Sequence, residues 1–109
     1  MRFVIIESPY AGKTLEDIEE NIEYARACLR DCLLRGEAPF ASHLLYTQDG
    51  ILRDDVPDER AHGIDAGLEL AKRADATVVY TDRGISRGMK LGIEAAERAG
   101  RPVEYREIE

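Results

Sequence analysis

Residues Ala76 to Gly100, ATVVYTDRGISRGMKLGIEAAERAG, constrain the fold more than any other stretch of this chain. A β-branched run feeds a polar loop, and the loop feeds a helix that opens at Ser86-Arg87-Gly88. Such a strand-loop-helix unit gathers unpaired backbone N–H groups, and the positive end of the helix dipole, at one place outside a sheet. That place suits an anion. Arg83, Arg87 and Lys90 lie in the loop and first turn, with no acidic residue between positions 83 and 90, although the chain carries 22 acids against 15 bases. The pattern points to a phosphate or carboxylate held by Ser86, Arg87, Gly88 and Met89. An ordinary solvated helix start is the plain alternative.

At 109 residues the chain has room for one compact domain, residues 1–109, and no second core. Hydrophobic residues at 44% and charged residues at 34% describe a globular chain. A net charge of −7 argues against a nucleic-acid polymer or an anionic membrane as partner, because either would need a broad basic surface. No run reaches membrane-spanning length, and Met1 opens directly into a strand without a signal-peptide pattern, so a cytoplasmic location is expected, of a cell or of the host if the source is viral. Cys28 and Cys32 share a helical face and lack further ligands at zinc spacing, and His43 and His62 are too far apart to propose a pair. No metal and no cofactor are expected.

The rest of the chain alternates strands with helices. RFVII, residues 2–6, is an apolar run that Glu7-Ser8-Pro9-Tyr10-Ala11-Gly12 breaks with turn residues. Thr14 and Asp17 stand at capping-box spacing and open a long helix, whose Ile18, Ile22, Ala25, Leu29 and Leu33 form the buried face and which Gly36 ends. Ala38–Ala41 is a second strand leading to His43. Residues 42–57 are polar and irregular; their acids, with Asp58 and Glu59, read as a solvated loop or helix start rather than cation ligands. Asp58–Ala74 is a helix, Ala76–Thr81 a strand, Ser86–Ala99 a helix and Pro102–Arg106 an edge strand. This order predicts an α/β domain with a four- to five-stranded, mainly parallel sheet and right-handed crossovers. The loops after strands one, two and three, residues 8–12, 43–46 and 82–88, then converge on one crevice at the carboxyl ends of the strands.

ESPYAG after the first strand, the APFASH segment, the helix ending KRADATVVY and the closing SRG-helix-GRPV resemble the nucleoside 2-deoxyribosyltransferase-like superfamily, including small phage and bacterial members of undefined function. The similarity spans nearly the whole chain, through short motifs. It implies a flavodoxin-like three-layer sandwich, a Rossmann-like α/β domain whose pocket holds a nucleoside or nucleotide, often completed in a homo-oligomer. It also implies that Ser86 and Gly88 contact a 5′ phosphate or hydroxyl, that Ser8, Tyr10 and Gly12 line the sugar and base pocket, and that His43 matches a loop histidine of some small members. Asp75 matches a position read as structural.

The catalytic residue of that family does not carry over. Its glutamate stands four residues after the motif glycine, and that position here is Gly92. Glu94 is the nearest acid, yet it lies about 200° round the helix, on the face of Lys90, Glu97 and Arg98, where it should point to solvent and pair with Arg98. Gly92, with Gly88, Ala95 and Ala99, reads as a small-residue stripe facing the sheet. Asp82 is the remaining acid placed to reach a ribose, as a hydroxyl acceptor or general base, or else it closes an Asx turn. The expected function is therefore capture of a nucleotide or nucleotide-derived signal without turnover, with Tyr10 or Tyr46 stacking on the base and Asp82 on the ribose. The alternative is an N-glycosidase or deoxyribosyltransferase-type enzyme that cleaves an N-glycosidic bond with another acid.

Overall fold

The structure, a computed structural model, describes all 109 residues. The chain runs β1 (Phe3–Glu7), α1 (Leu15–Leu34), β2 (Ala38–Phe40), α2 (Ser42–Leu45), α3 (Pro57–Ala71), β3 (Ala76–Tyr80), α4 (Arg87–Arg98) and β4 (Val103–Arg106). Its sheet has four strands in the order β2-β1-β3-β4, and every neighbouring pair is parallel. This is the expected flavodoxin-like α/β arrangement, whose strand order reverses between β1 and β3, so that the loops following these two strands diverge and leave a crevice.

Side-chain alternation along β1 and β3 sorts the core into two layers. Val4, Ile6, Val78 and Tyr80 face α1 and pack with Tyr24, Cys28 and Cys32, all buried. Both cysteines are free and wholly enclosed, as expected of small core residues. Val79 faces the other way, against Met89 and Ile93 of α4. β3 is buried at every residue, as a central parallel strand must be.

Thr14 caps α1 through its hydroxyl, which accepts from Asp17 N–H, and Asp17 in turn accepts from Lys13 N–H. The carboxylate of Asp75 accepts a 2.7 Å bond from Phe3 N–H and so ties the start of β3 to β1, a structural role. Near the C-terminal end of α1, Arg106 and Glu37 form a buried bidentate pair at 2.7 Å, joined by Tyr80 and Arg2.

Most boundaries shift by a residue or two from expectation, and one shift matters for the site. β1 extends through Glu7, whose place opposite Val79 in β3 outweighs the turn character of the residues that follow. Residues 42–45 form a one-turn helix within the segment read as irregular. α3 begins at Pro57, which needs no intrahelical acceptor in the first turn, and stops at Ala71.

Candidate functional site

A cavity of about 360 Å³ opens between α3 and α4 over β1 and β3. This volume falls in the range of small-molecule sites. Ser8, Tyr10, His43, Tyr46, Ser86, Arg87, Gly88 and Met89 all line it. The loops after β1 and β2 and the start of α4 thus converge as the parallel topology requires.

The start of α4 presents free donors there. Ser86 caps the helix by accepting from Met89 N–H at 3.3 Å, and its own N–H meets the Met89 sulfur. The N–H groups of Arg87 and Gly88 donate to no protein acceptor. Arg87 lines the wall, and Arg60 reaches over from α3: a Cβ built on Gly88 would lie 3.9 Å from Arg60 Nη2. Arg60 Nη1 is held by both oxygens of Asp54 at 2.8 and 3.0 Å, which fixes the guanidinium. Free amides, a helix dipole and the Arg60 guanidinium make this end of the cavity a place for negative charge.

Ser8 Oγ and His43 Nε2 share a 2.7 Å hydrogen bond on the wall. Burial lowers the His43 pKa to about 4, so the imidazole is neutral at pH 7. Tyr46 packs edge-on against Phe40, with ring centres 5.9 Å apart, which fixes one face of the ring.

The residue that sequence reasoning missed is Glu7. Its side chain is part-buried beneath α4 and lines the cavity, and its carboxyl takes part in no hydrogen bond. Desolvation raises its pKa to about 8, opposed by the field of Arg101. A Cβ on Gly92 would land on this carboxyl group. Gly92 is therefore the residue that admits Glu7, and a side chain there and the present Glu7 conformer exclude each other. Arg101, which donates to Thr77 Oγ1 at 3.2 Å, was likewise not foreseen.

Two expected site residues lie elsewhere. The Asp82 carboxylate accepts from Tyr24 O–H at 2.6 Å and from the N–H groups of Ile108 and Glu109 at 2.9 to 3.2 Å, so it anchors the C-terminal tail and does not line the cavity. Gly12 also lies outside the wall, where a Cβ would strike Asp17; it lets the loop pass close to α1. Arg83 is withdrawn from the anion-binding end by a bidentate pair with Glu109 at 2.7 and 2.8 Å and by stacking over Tyr24. Lys90 is exposed and outside the wall.

Other expectations are refined. Glu94 is exposed as anticipated but forms no ion pair with Arg98. The buried residues of α4 are Met89, Gly92, Ile93 and Ala96, whereas Ala99 is exposed, so the stripe facing the sheet is not purely small. In the segment 49–59, Asp54 and Asp55 pair with arginines and Glu59 accepts from Arg53 N–H, which accounts for these acids without a cation.

Comparison with known proteins agrees with this architecture. The chain belongs to the DUF7768 family, a domain of unknown function, whose pattern matches residues 2–106. No curated protein matches it. Among solved structures it is similar to the 2-deoxyribosyltransferase of the psychrotolerant bacterium Bacillus psychrosaccharolyticus, with a TM-score of 0.65 and 21% identity over 96% of this chain and 72% of that one. The nucleoside 2-deoxyribosyltransferase-like fold read from the sequence is thus borne out.

Proposed function

We propose that this DUF7768 protein binds a nucleotide or nucleoside-type small molecule in the cavity between α3 and α4. The observation that carries this reading is the pair of unengaged amides at Arg87 and Gly88, beside the guanidinium of Arg60, at one end of the cavity. A phosphate fits that end, with Ser86, Gly88 and Met89 around it. The sugar then lies over Ser8 and Glu7, and the base lies toward Tyr10, His43 and Tyr46. Similarity in fold to a deoxyribosyltransferase supports a nucleoside-type ligand over other phosphorylated compounds.

Binding without turnover, and hence sequestration of a nucleotide signal, follows if the glycine at position 92 leaves the cavity without a working acid. A second reading, cleavage of an N-glycosidic bond, is favoured by one observation, the Glu7 carboxyl beside that glycine. Asp82 serves neither reading, since its carboxylate holds the tail. A homo-oligomer is part of the proposal, because Leu91, on the cavity wall, leaves 47% of its surface uncovered. Light scattering on the eluting protein tests that point.

Ligand recovery tests the main reading. Purified protein is mixed with nucleosides, nucleoside monophosphates and cyclic and dinucleotide forms, washed and heated, and the released small molecules are analysed by mass spectrometry. Retention of a nucleotide by the wild type, and its loss in Arg87→Glu, is the expected result. Equal retention by both proteins removes the anion-binding role of α4.

A further inference from the structure

We propose that Glu7 is a catalytic acid of this cavity, acting on the bond between sugar and base of a nucleoside monophosphate. The inference rests on the nucleotide reading above and adds a reaction to it.

Position is the first argument. Glu7 lies under Gly92, and the free amides lie at Arg87 and Gly88, one helical turn earlier. Four residues of α-helix advance about 6 Å along the axis. That is the reach across one ribose from a 5′ phosphate to the anomeric carbon. A phosphate at the start of α4 therefore sets the sugar–base bond beside the Glu7 carboxyl.

Availability is the second. The cavity wall holds three acids, and two are committed: Asp54 to Arg60, and Glu59 to the N–H of Arg53. Glu7 alone has no partner, and its unspent hydrogen-bonding capacity faces the cavity. A part-buried, desolvated carboxyl without a donor keeps its proton into the neutral range, and desolvation here raises the pKa to about 8. Such a group can give a proton to a leaving group.

Cofactor-free hydrolysis then balances. The Glu7 carboxyl donates its proton to a ring nitrogen of the base as the C1′–N bond breaks and its electron pair passes to the base. Water adds through oxygen to C1′, and one of its protons returns to the Glu7 carboxylate. One nucleoside monophosphate and one water give the free base and the sugar 5-phosphate. Gly92 is part of this arrangement, since a side chain there would displace the acid.

The test uses the full chain with purine and pyrimidine nucleoside 5′-monophosphates, of ribose and deoxyribose. Binding is measured by calorimetry, and free base is measured by chromatography. Wild-type protein is expected to release base, whereas Glu7→Gln keeps the affinity within about threefold and loses about 100-fold in rate, the scale of a lost general acid. Glu7→Asp, which restores a carboxyl on a shorter arm, is expected to recover part of the rate. A wild type that binds a nucleotide and returns it intact overturns the proposal, as does a Glu7→Gln variant that cleaves at the wild-type rate. A wild type that binds none of the monophosphates overturns the nucleotide reading itself, a result separate from either.

Discussion

Replacing Glu7 by glutamine isolates the physical cost of the cavity carboxyl. In the folded protein this group holds its proton up to about 8, against an ordinary value of 4.5. Between those values the unfolded chain has released the proton and the folded chain has not, so stability falls as pH rises from about 4.5 to about 8 and levels off above. At about 1.4 kcal/mol for each tenfold displacement of the equilibrium, the ceiling is about 4 to 5 kcal/mol. Water entering the cavity hydrates part of the carboxylate, which brings the expected loss between pH 5 and pH 8 to about 2 kcal/mol. Glutamine has the same shape and no charge, and so removes this loss. His43, whose low pKa weakens the fold below its ordinary value of 6.5, is common to both proteins and cancels in the comparison. Urea unfolding of wild type and Glu7→Gln at pH 5 and pH 8 reads the difference. With a slope of about 2 kcal/mol per molar, the variant gains about 1 M in midpoint over the wild type between the two pH values. A midpoint difference independent of pH refutes the desolvated carboxyl.

Gly92→Ala places a methyl on the Glu7 carboxyl, so that side chain must swing aside, offsetting the helix-propensity gain of about 1 kcal/mol that alanine brings; in a Glu7→Ala background thermal or urea unfolding should show that gain, and equal effects in both backgrounds contradict the contact. Asp82→Asn weakens the bonds to Tyr24 and to the amides of Ile108 and Glu109, lowering the urea midpoint while leaving nucleotide affinity unchanged in calorimetry; a loss of affinity would return Asp82 to the site. Arg106→Met strands the buried Glu37 carboxylate and should cost about 3 kcal/mol in urea unfolding; a neutral result means that Arg2 alone compensates Glu37.

What the sequence made legible was local. Ala76–Tyr80 announced a buried strand through its β-branched residues, and all five are buried. Ser86 was read as the opening residue of the last helix, and it caps that helix. Thr14 and Asp17 did the same for α1. The alternation of these elements then dictated a parallel sheet and the edge on which its loops converge.

The misses that matter for the site involve partners distant in sequence. Asp82 and Arg83 sit where a site was expected, yet residues 108 and 109 return to claim them, a contact that no local pattern encodes. Arg60 reaches the start of α4 only because α3 crosses the cavity, and its register on Asp54 fixes the approach. Glu7 was read as the first residue of a turn because Ser8, Pro9 and Gly12 follow it. Extending the period of two by one step would have placed it with Ile5 on the face of β1 that α4 covers. Its meaning still required Gly92, 85 residues later, whose missing side chain is the space that the carboxyl fills.

The account stands on the anion-binding end of the cavity, and amide NMR measures it directly. In a ¹⁵N-labelled sample titrated with a nucleoside monophosphate, the Arg87 and Gly88 amide protons are expected to move downfield and saturate together, while the matching nucleoside without phosphate leaves them nearly unmoved. Saturable binding seen at other amides, with those of Arg87 and Gly88 unchanged, would contradict it.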